Sequence, residues 1–340
     1  MQIRRLLILI LVLAAVSAQA AVPEVSAESQ SAVVKAVKLV GPAVVNIDTL
    51  SRPQATPFDL FFFGEPQPEQ GQGSGWIIDA QQGYVVTNEH VIHNADEITV
   101  TLPNKKQYTG KLIGSDRISD IAVVKIEAQG LQSAKLSTGG EPVIGSWAIA
   151  IGNPFGFQNT VTVGVISATG RDLKAPDGRE MKYLIQTDAA INFGNSGGPL
   201  CDINGNVIAM NTAIIPQAQG IGFAIPAGTI QQIVPQLIKY GKVIRPWVGF
   251  VYRELTPKLA RQVGVDYAEG VIVFVYRNSN ASQAGLNSGD IIVEAAGKPV
   301  KTADDLTAII KPLKIGDKLP LVVVREGSKT RFSVTVAEMP

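Results

Sequence analysis

Gly194-Asn195-Ser196-Gly197-Gly198-Pro199 places one hydroxyl inside a run of small residues. A glycine two positions before the serine and two immediately after it allow positive φ and a close backbone approach to a bound carbonyl, which larger side chains would obstruct. The loop therefore reads as a candidate cradle for a negatively charged oxygen, with the Gly194 and Ser196 amides as donors and Asn195 shaping the turn. A serine hydroxyl is a poor nucleophile at neutral pH, so this reading requires a base within hydrogen-bond reach.

Two histidines are available, His90 and His93. His90 follows Tyr84-Val85-Val86-Thr87-Asn88-Glu89, where an apolar strand is expected to end and a short helical turn to begin. The two imidazoles have no third ligand at a metal-site spacing, so neither a metal nor a cofactor is expected. An imidazole base must in turn be oriented by a carboxylate. Asp120 opens Asp120-Ile121-Ala122-Val123-Val124-Lys125-Ile126, at the entrance of a buried-looking strand whose sheet would hold it in place. Asp116, one loop turn earlier, is the rival. The chain order His90, Asp120, Ser196 is that of the chymotrypsin arrangement and differs from the orders in subtilisin and the α/β-hydrolases.

The chain has 340 residues, 46% of them hydrophobic, enough for a large core and two or three domains. Arg4-Arg5, an apolar run from Leu6 to about Val16 and Ala18-Gln19-Ala20 read as a secretory signal over residues 1–20, cleaved before Ala21. That run falls short of the roughly twenty residues a spanning helix needs. A formal charge of +1, falling to about −1 without Arg4 and Arg5, gives no electrostatic case for nucleic acid. Cys201 is the only cysteine, which excludes an intramolecular disulfide, and it reads as a small buried side chain rather than a second nucleophile.

Along the chain, residues 21–72 form an N-terminal segment with a helix expected from Ser31 to Val40, a strand at Ala43-Val44-Val45-Asn46-Ile47, and then a loop. The loop carries Phe58, Phe61, Phe62 and Phe63. Four aromatics, worth roughly 1.5–3 kcal/mol each when buried, need a cover from the same subunit or another. From Gly75 to about Ile225, short β-branched runs alternate with turn residues at about ten-residue spacing, which favours antiparallel barrels. A helix over Pro226 to Tyr240 closes this unit, Gly241 to Pro246 reads as a linker, and the last hundred or so residues form a second unit.

Several ordered blocks carry a resemblance: Gly73-Ser74-Gly75, Thr87-Asn88-Glu89-His90-Val91, Ser119-Asp120-Ile121-Ala122-Val123, Ile151-Gly152-Asn153-Pro154-Phe155-Gly156, and Thr187-Asp188-Ala189-Ala190-Ile191-Asn192 before the serine loop. The sequence resembles the HtrA (Deg) family of trypsin-like serine proteases. Trp247-Val248-Gly249-Phe250-Val251, Ala284 to Ile292, and a helix near Asp304 to Lys311 resemble a single PDZ domain. The resemblance implies a mainly β protein: a chymotrypsin/trypsin-like double barrel over residues 31–240, with two six-stranded barrels and the site between them, and a PDZ domain over 245–338. Phe193, where many such proteases carry proline, and Trp76, in place of a smaller residue, depart from the family pattern.

The resemblance further implies peptide-bond hydrolysis with His90, Asp120 and Ser196 catalytic and Gly194, Asn195 and Ser196 at the oxyanion hole. Asn211, Thr212, Ala213, Ile214 and Ile215 would pair with substrate and wall an apolar specificity pocket. Trp247, Val248, Gly249, Phe250 and Val251 would form the loop capturing peptide C-termini. Expected partners are misfolded polypeptides, peptide C-termini and further copies of the chain in a homotrimer or a multiple of it, in the periplasm or outside the cell. A retained N-terminal anchor is the alternative to cleavage. The Arg171 to Gly178 loop is expected to relay PDZ occupancy to the serine loop, or else to be an ordinary solvated hairpin. A chaperone-like peptide binder and an esterase remain the competing readings.

Overall fold

A computed structural model describes residues 31–52, 67–154, 156, 159–174, 178–192, 194–214, 220–264 and 269–339. The leader, the aromatic stretch, Phe193 and Ile215 lie outside these residues. Two compact units divide the chain, residues 1–112 with 117–231 and residues 113–116 with 232–340.

The first unit opens on α1 (Ala32–Val40), where the Ser31 hydroxyl accepts the Val34 amide and caps the helix. Next come β1 (Val44–Ser51), β2 (Glu69–Asp79), β3 (Tyr84–Thr87), α2 (Glu89–Ile92), β4 (Glu97–Thr101), β5 (Gln107–Thr109), β6 (Lys111–Asp116) and β7 (Ile121–Lys125). Their sheet runs β5-β4-β1-β2-β3-β7-β6. Seven strands stand where the resemblance implied six, and Gly110 explains the difference. It is the single residue between β5, which pairs with β4, and β6, which pairs with β7, so one bent run of chain serves both edges of the sheet. A Cβ at Gly110 would lie 2.7 Å from Val124 Cγ1 and 2.9 Å from Ile98 Cγ2, so the bend fits only without a side chain. Val44, Val45, Ile47, Trp76, Ile77, Val85, Val86, Val100 and Ile121 to Val124 fill this core.

β8 (Trp147–Gly152), β9 (Thr160–Lys174), β10 (Glu180–Thr187), β11 (Pro199–Cys201), β12 (Val207–Ile214) and β13 (Gly222–Pro226) close a barrel in the order β10-β13-β12-β11-β8-β9. Its interior alternates Ala148, Ala150, Ala209 and Ala224 with Ile166, Ile185 and Leu200, small beside large, as a narrow six-strand interior requires. The Arg171 to Lys174 stretch, read as loop, is the end of β9 and pairs with β10. The chain then enters α3 (Ala227–Tyr240).

In the second unit β14 (Pro246–Trp247) pairs with β21 (Ala337–Glu338), tying its two ends together. Between them lie β15 (Phe250–Glu254), α4 (Pro257–Val263), β16 (Val271–Val275), α5 (Asn280–Gln283), β17 (Ile291–Ala295), β18 (Lys298–Pro299), α6 (Ala303–Ile310), β19 (Lys318–Arg325) and β20 (Ser328–Thr335). The sheet runs β15-β16-β17-β19-β20, leaving β15 at an edge, with β18 on β17. Neighbouring residues bury opposite faces: Val271, Val273, Ile292 and Val323 on the main core, Ile272, Ile291 and Val324 on a smaller one. Among the described residues no helix is long and apolar enough to cross a membrane.

Gly110→Val should destabilise the protein by about 1–3 kcal/mol, the range for overpacking a filled core, read as a lower urea midpoint at unchanged slope.

Candidate functional site

β3 delivers Thr87 and Asn88 to the start of α2, and His90 sits in its first turn. Asp120 precedes β7, with only 1% of its surface exposed and a left-handed φ of 55°. A non-glycine residue holds that conformation only when its surroundings fix it. They do so here: the Asn88 side-chain amide donates to the Asp120 carbonyl at 3.1 Å, and the carboxylate accepts the His90 backbone N–H at 3.0 Å.

The same carboxylate lies 2.8 and 3.0 Å from His90 Nδ1 and accepts the Thr212 hydroxyl at 2.6 Å. Since a carboxylate accepts, the His90 nitrogen that faces it, Nδ1, is the one that carries a proton, and Nε2 is the ring nitrogen this contact leaves unengaged. Asp116, the rival carboxylate, is engaged elsewhere, by both terminal nitrogens of Arg245 at 2.5 and 2.7 Å.

The serine loop has its backbone fixed by glycines. Gly194 and Gly197 adopt φ of 101° and 82°. A Cβ on Gly194 would stand 2.2 Å from Pro154 Cβ, and one on Gly197 would stand 2.5 Å from Thr87 Oγ1 and 3.2 Å from the Asn88 nitrogen. Gly73 of β2 is squeezed equally: its Cβ would meet Val91 Cγ2 at 2.7 Å and the Ser196 carbonyl at 3.3 Å. The Ser74 amide donates to that carbonyl at 2.8 Å. Ser196 and the residues on either side of His90 thus press on the same short stretch of β2.

Asn195 is a builder of the turn and not a donor to the cradle. Its amide donates to the Asn192 carbonyl at 3.2 Å, while its side chain accepts from the Asn192 amide at 3.0 Å and donates to the Ala190 carbonyl at 3.1 Å. Asn211 and Thr212, expected at the substrate wall, use their side chains inward. Asn211 Nδ2 donates to the carbonyls of Asn195 and Pro199, each at 3.3 Å, and Thr212 supports Asp120. A register shift between Asn211 and Ala213 accompanies this, and Ala213 and Ile214 pair with Phe223 and Gly222.

The sequence reading assigned no role to Arg179 or Ser74. Arg179 donates to the Arg117 carbonyl at 2.7 Å, and its Nη1 lies 3.7 Å from Asp120 and 4.0 Å from Glu89, placing a cation between two buried carboxylates. Glu89 also meets His93 Nδ1 at 2.5 Å. Nothing local in the sequence signals Arg179, whereas a serine between two glycines inside a buried strand is a readable oddity.

In the second unit Gly249 takes φ of 82°, and a Cβ there would fall 2.2 Å from Asn280 Oδ1, so the turn before β15 requires glycine. Val248 and Phe250 point into the core, Trp247 is half-buried, and Val251 on edge strand β15 is exposed. The Tyr252 hydroxyl and Thr307 Oγ1, 2.7 Å apart, link β15 to α6. An open strand edge flanked by a helix is the geometry that accepts an added peptide strand.

Known proteins share this plan. Residues 73–210 match the trypsin-like peptidase domain and residues 248–336 the PDZ domain. A Synechocystis protein bearing the name serine protease HhoB is 42% identical over 91% of this chain and 79% of its own length. A DegP-like periplasmic serine endoprotease, so named, from Ectopseudomonas mendocina is 42% identical over 82% of this chain, which spans 58% of that relative. Among solved structures, the HtrA-type protease AlgW with a decapeptide superposes with TM-score 0.74 at 37% identity, covering 91% of this chain and 99% of that one. The serine endoprotease from Yersinia pestis gives 0.71 at 33% identity, covering 92% and 99%.

Cys201, next to this loop, is wholly buried, and desolvation pushes its thiol far above the ordinary cysteine range. A thiol reagent at mildly alkaline pH should leave it unmodified in the folded protein and label it completely in urea.

Proposed function

This chain belongs to the HtrA (Deg) family of trypsin-like serine proteases, and from that membership we propose that it is a periplasmic or secreted endoprotease of unfolded and damaged polypeptides. The observation carrying the reading is the clasp of Asp120 on His90 Nδ1, which leaves the other ring nitrogen, Nε2, to act as the base. Ser196 attacks the scissile carbonyl and Nε2 takes its proton, returning it to the leaving amine. Asp120 stabilises the imidazolium through Nδ1–H, and water then hydrolyses the acyl-enzyme by the reverse sequence. The Gly194 and Ser196 amides stabilise the anionic oxygen, each worth about 2.7–4 kcal/mol in the transition state.

The side chains of Asn211 and Thr212 are occupied inward, so in this reading substrate meets their backbone, and Ile214 with Ile215 supplies an apolar wall. Cleavage after Val, Ala, Ile or Leu follows, because an apolar wall offers no counter-charge to Lys or Arg. The PDZ unit captures free peptide C-termini through the Trp247 to Val251 loop and adds the peptide along β15. Occupancy is relayed through the β9–β10 hairpin around Arg171 to Gly178, and the working assembly is a homotrimer or a multiple of it.

Ser196→Ala should abolish casein hydrolysis while retaining the wild-type circular dichroism spectrum. The wild-type digest should show aliphatic residues at the new C-termini, and residual proteolysis by the variant or a majority of basic ends would refute the reading. For the second unit, peptides with free C-termini should bind and their amidated counterparts should not; equal affinity for the two would remove carboxylate capture.

A further inference from the structure

Ser74 lies in the middle of β2 with no exposed surface, and all its polar atoms are used. Its amide donates to the Ser196 carbonyl at 2.8 Å and its carbonyl accepts the Thr87 hydroxyl at 2.7 Å. Its own hydroxyl stands 2.5 Å from the Gly194 carbonyl and 2.7 Å from the Asn153 amide. Valence fixes the direction of the last two bonds. An amide N–H only donates and a carbonyl only accepts, so Oγ accepts from Asn153 and gives its proton to Gly194. The three groups form a one-way chain in which each bond polarises the next.

The Gly194 carbonyl is the acceptor that matters. It shares one rigid peptide plane with the Asn195 N–H, which donates to the Asn192 carbonyl at 3.2 Å. That plane is therefore held at both ends. The neighbouring plane carries the Gly194 N–H, and the joint between the two is a glycine at φ of 101°, a torsion with no side chain to restrain it. Fixing the plane on one side of this joint removes half of the freedom with which the donor could swing away.

We propose that the Ser74 hydroxyl is a positioning residue for the oxyanion donor: by anchoring the 194–195 peptide it holds the Gly194 amide on the reacting carbonyl oxygen. Ser74 itself touches no substrate. The inference rests on the reading of Ser196 as nucleophile. Removing the hydroxyl leaves a buried N–H and a buried carbonyl without partners, and the plane regains its rotation.

The test compares full-length wild type, Ser74→Ala and the nearly isosteric Ser74→Cys, whose thiol is a weak donor. Each is assayed on a fluorogenic peptide with an aliphatic residue before the scissile bond. Inhibition is then measured with a matching peptide boronate, whose serine adduct carries the anionic oxygen, and with the cleavage-product peptide, which has none. For Ser74→Ala, kcat should fall about 10- to 100-fold, less than or comparable to loss of a direct donor. KM and product-peptide affinity should stay as in wild type, and boronate affinity should fall in step with kcat. Ser74→Cys should lie between, and it carries the same comparison should the alanine variant not fold.

An unchanged kcat, or equal weakening of boronate and product peptide, overturns the proposal, the latter because it marks general loosening of the site. Inactive Ser196→Ala beside unimpaired Ser74→Ala removes this inference alone. A wild-type enzyme indifferent to the boronate, with Ser196→Ala still active, removes the nucleophile assignment and this inference together.

Discussion

A carboxylate with 1% of its surface exposed is the constraint around which the first unit is arranged. Taking Asp120 out of water without partners would cost several kcal/mol, so the chain supplies donors from three directions. The His90 backbone and imidazole come from α2, the Thr212 hydroxyl from β12, and the Arg179 guanidinium stands at 3.7 Å. His90 and Thr212 belong to different elements, Thr212 to the second barrel, and Arg179 stands immediately before that barrel's β10. Satisfying one buried charge thereby docks the two barrels and sets the imidazole tautomer in the same act. The left-handed backbone of Asp120 is tolerated because these bonds leave it no alternative.

Glycine governs the second half of the arrangement. At Gly73, Gly194 and Gly197 a single added carbon would strike the facing chain at well under van der Waals distance. Backbones can then approach closely enough for amide donors to converge on one point, which side chains of any size would prevent. The same close approach buries polar atoms and obliges the loop to satisfy them internally. Asn195, Asn211 and Ser74 do that, which explains why so much of the serine loop's surroundings is amide and hydroxyl instead of hydrocarbon.

The sequence was legible wherever chemistry and local pattern coincide. One histidine at a strand end and one aspartate at a strand start gave the pair that meets at Nδ1, and the helices from Ala32 and from Ala227 start within a residue of their expected positions. It was less legible where one residue serves two partners at once. The Arg171 to Lys174 stretch reads as loop because its charges are exposed, yet β10 extends it as strand. Gly110 bends a single run so that both sheet edges are paired, a role that nothing in its neighbouring residues announces.

What the sequence by itself determined is the set of reactive groups, the mainly β class and the order of the two units, because nucleophilicity, β-branching and glycine content are properties of residues and their neighbours. Only the tertiary structure decided that Arg245 takes Asp116, that Thr212 turns to the Asp120 carboxylate, and that Ser74 joins the serine loop to Asn153. Those choices depend on which distant backbones come within hydrogen-bond reach. A bond of about 3 Å between residues many tens of positions apart leaves no periodic trace in the chain that encodes it.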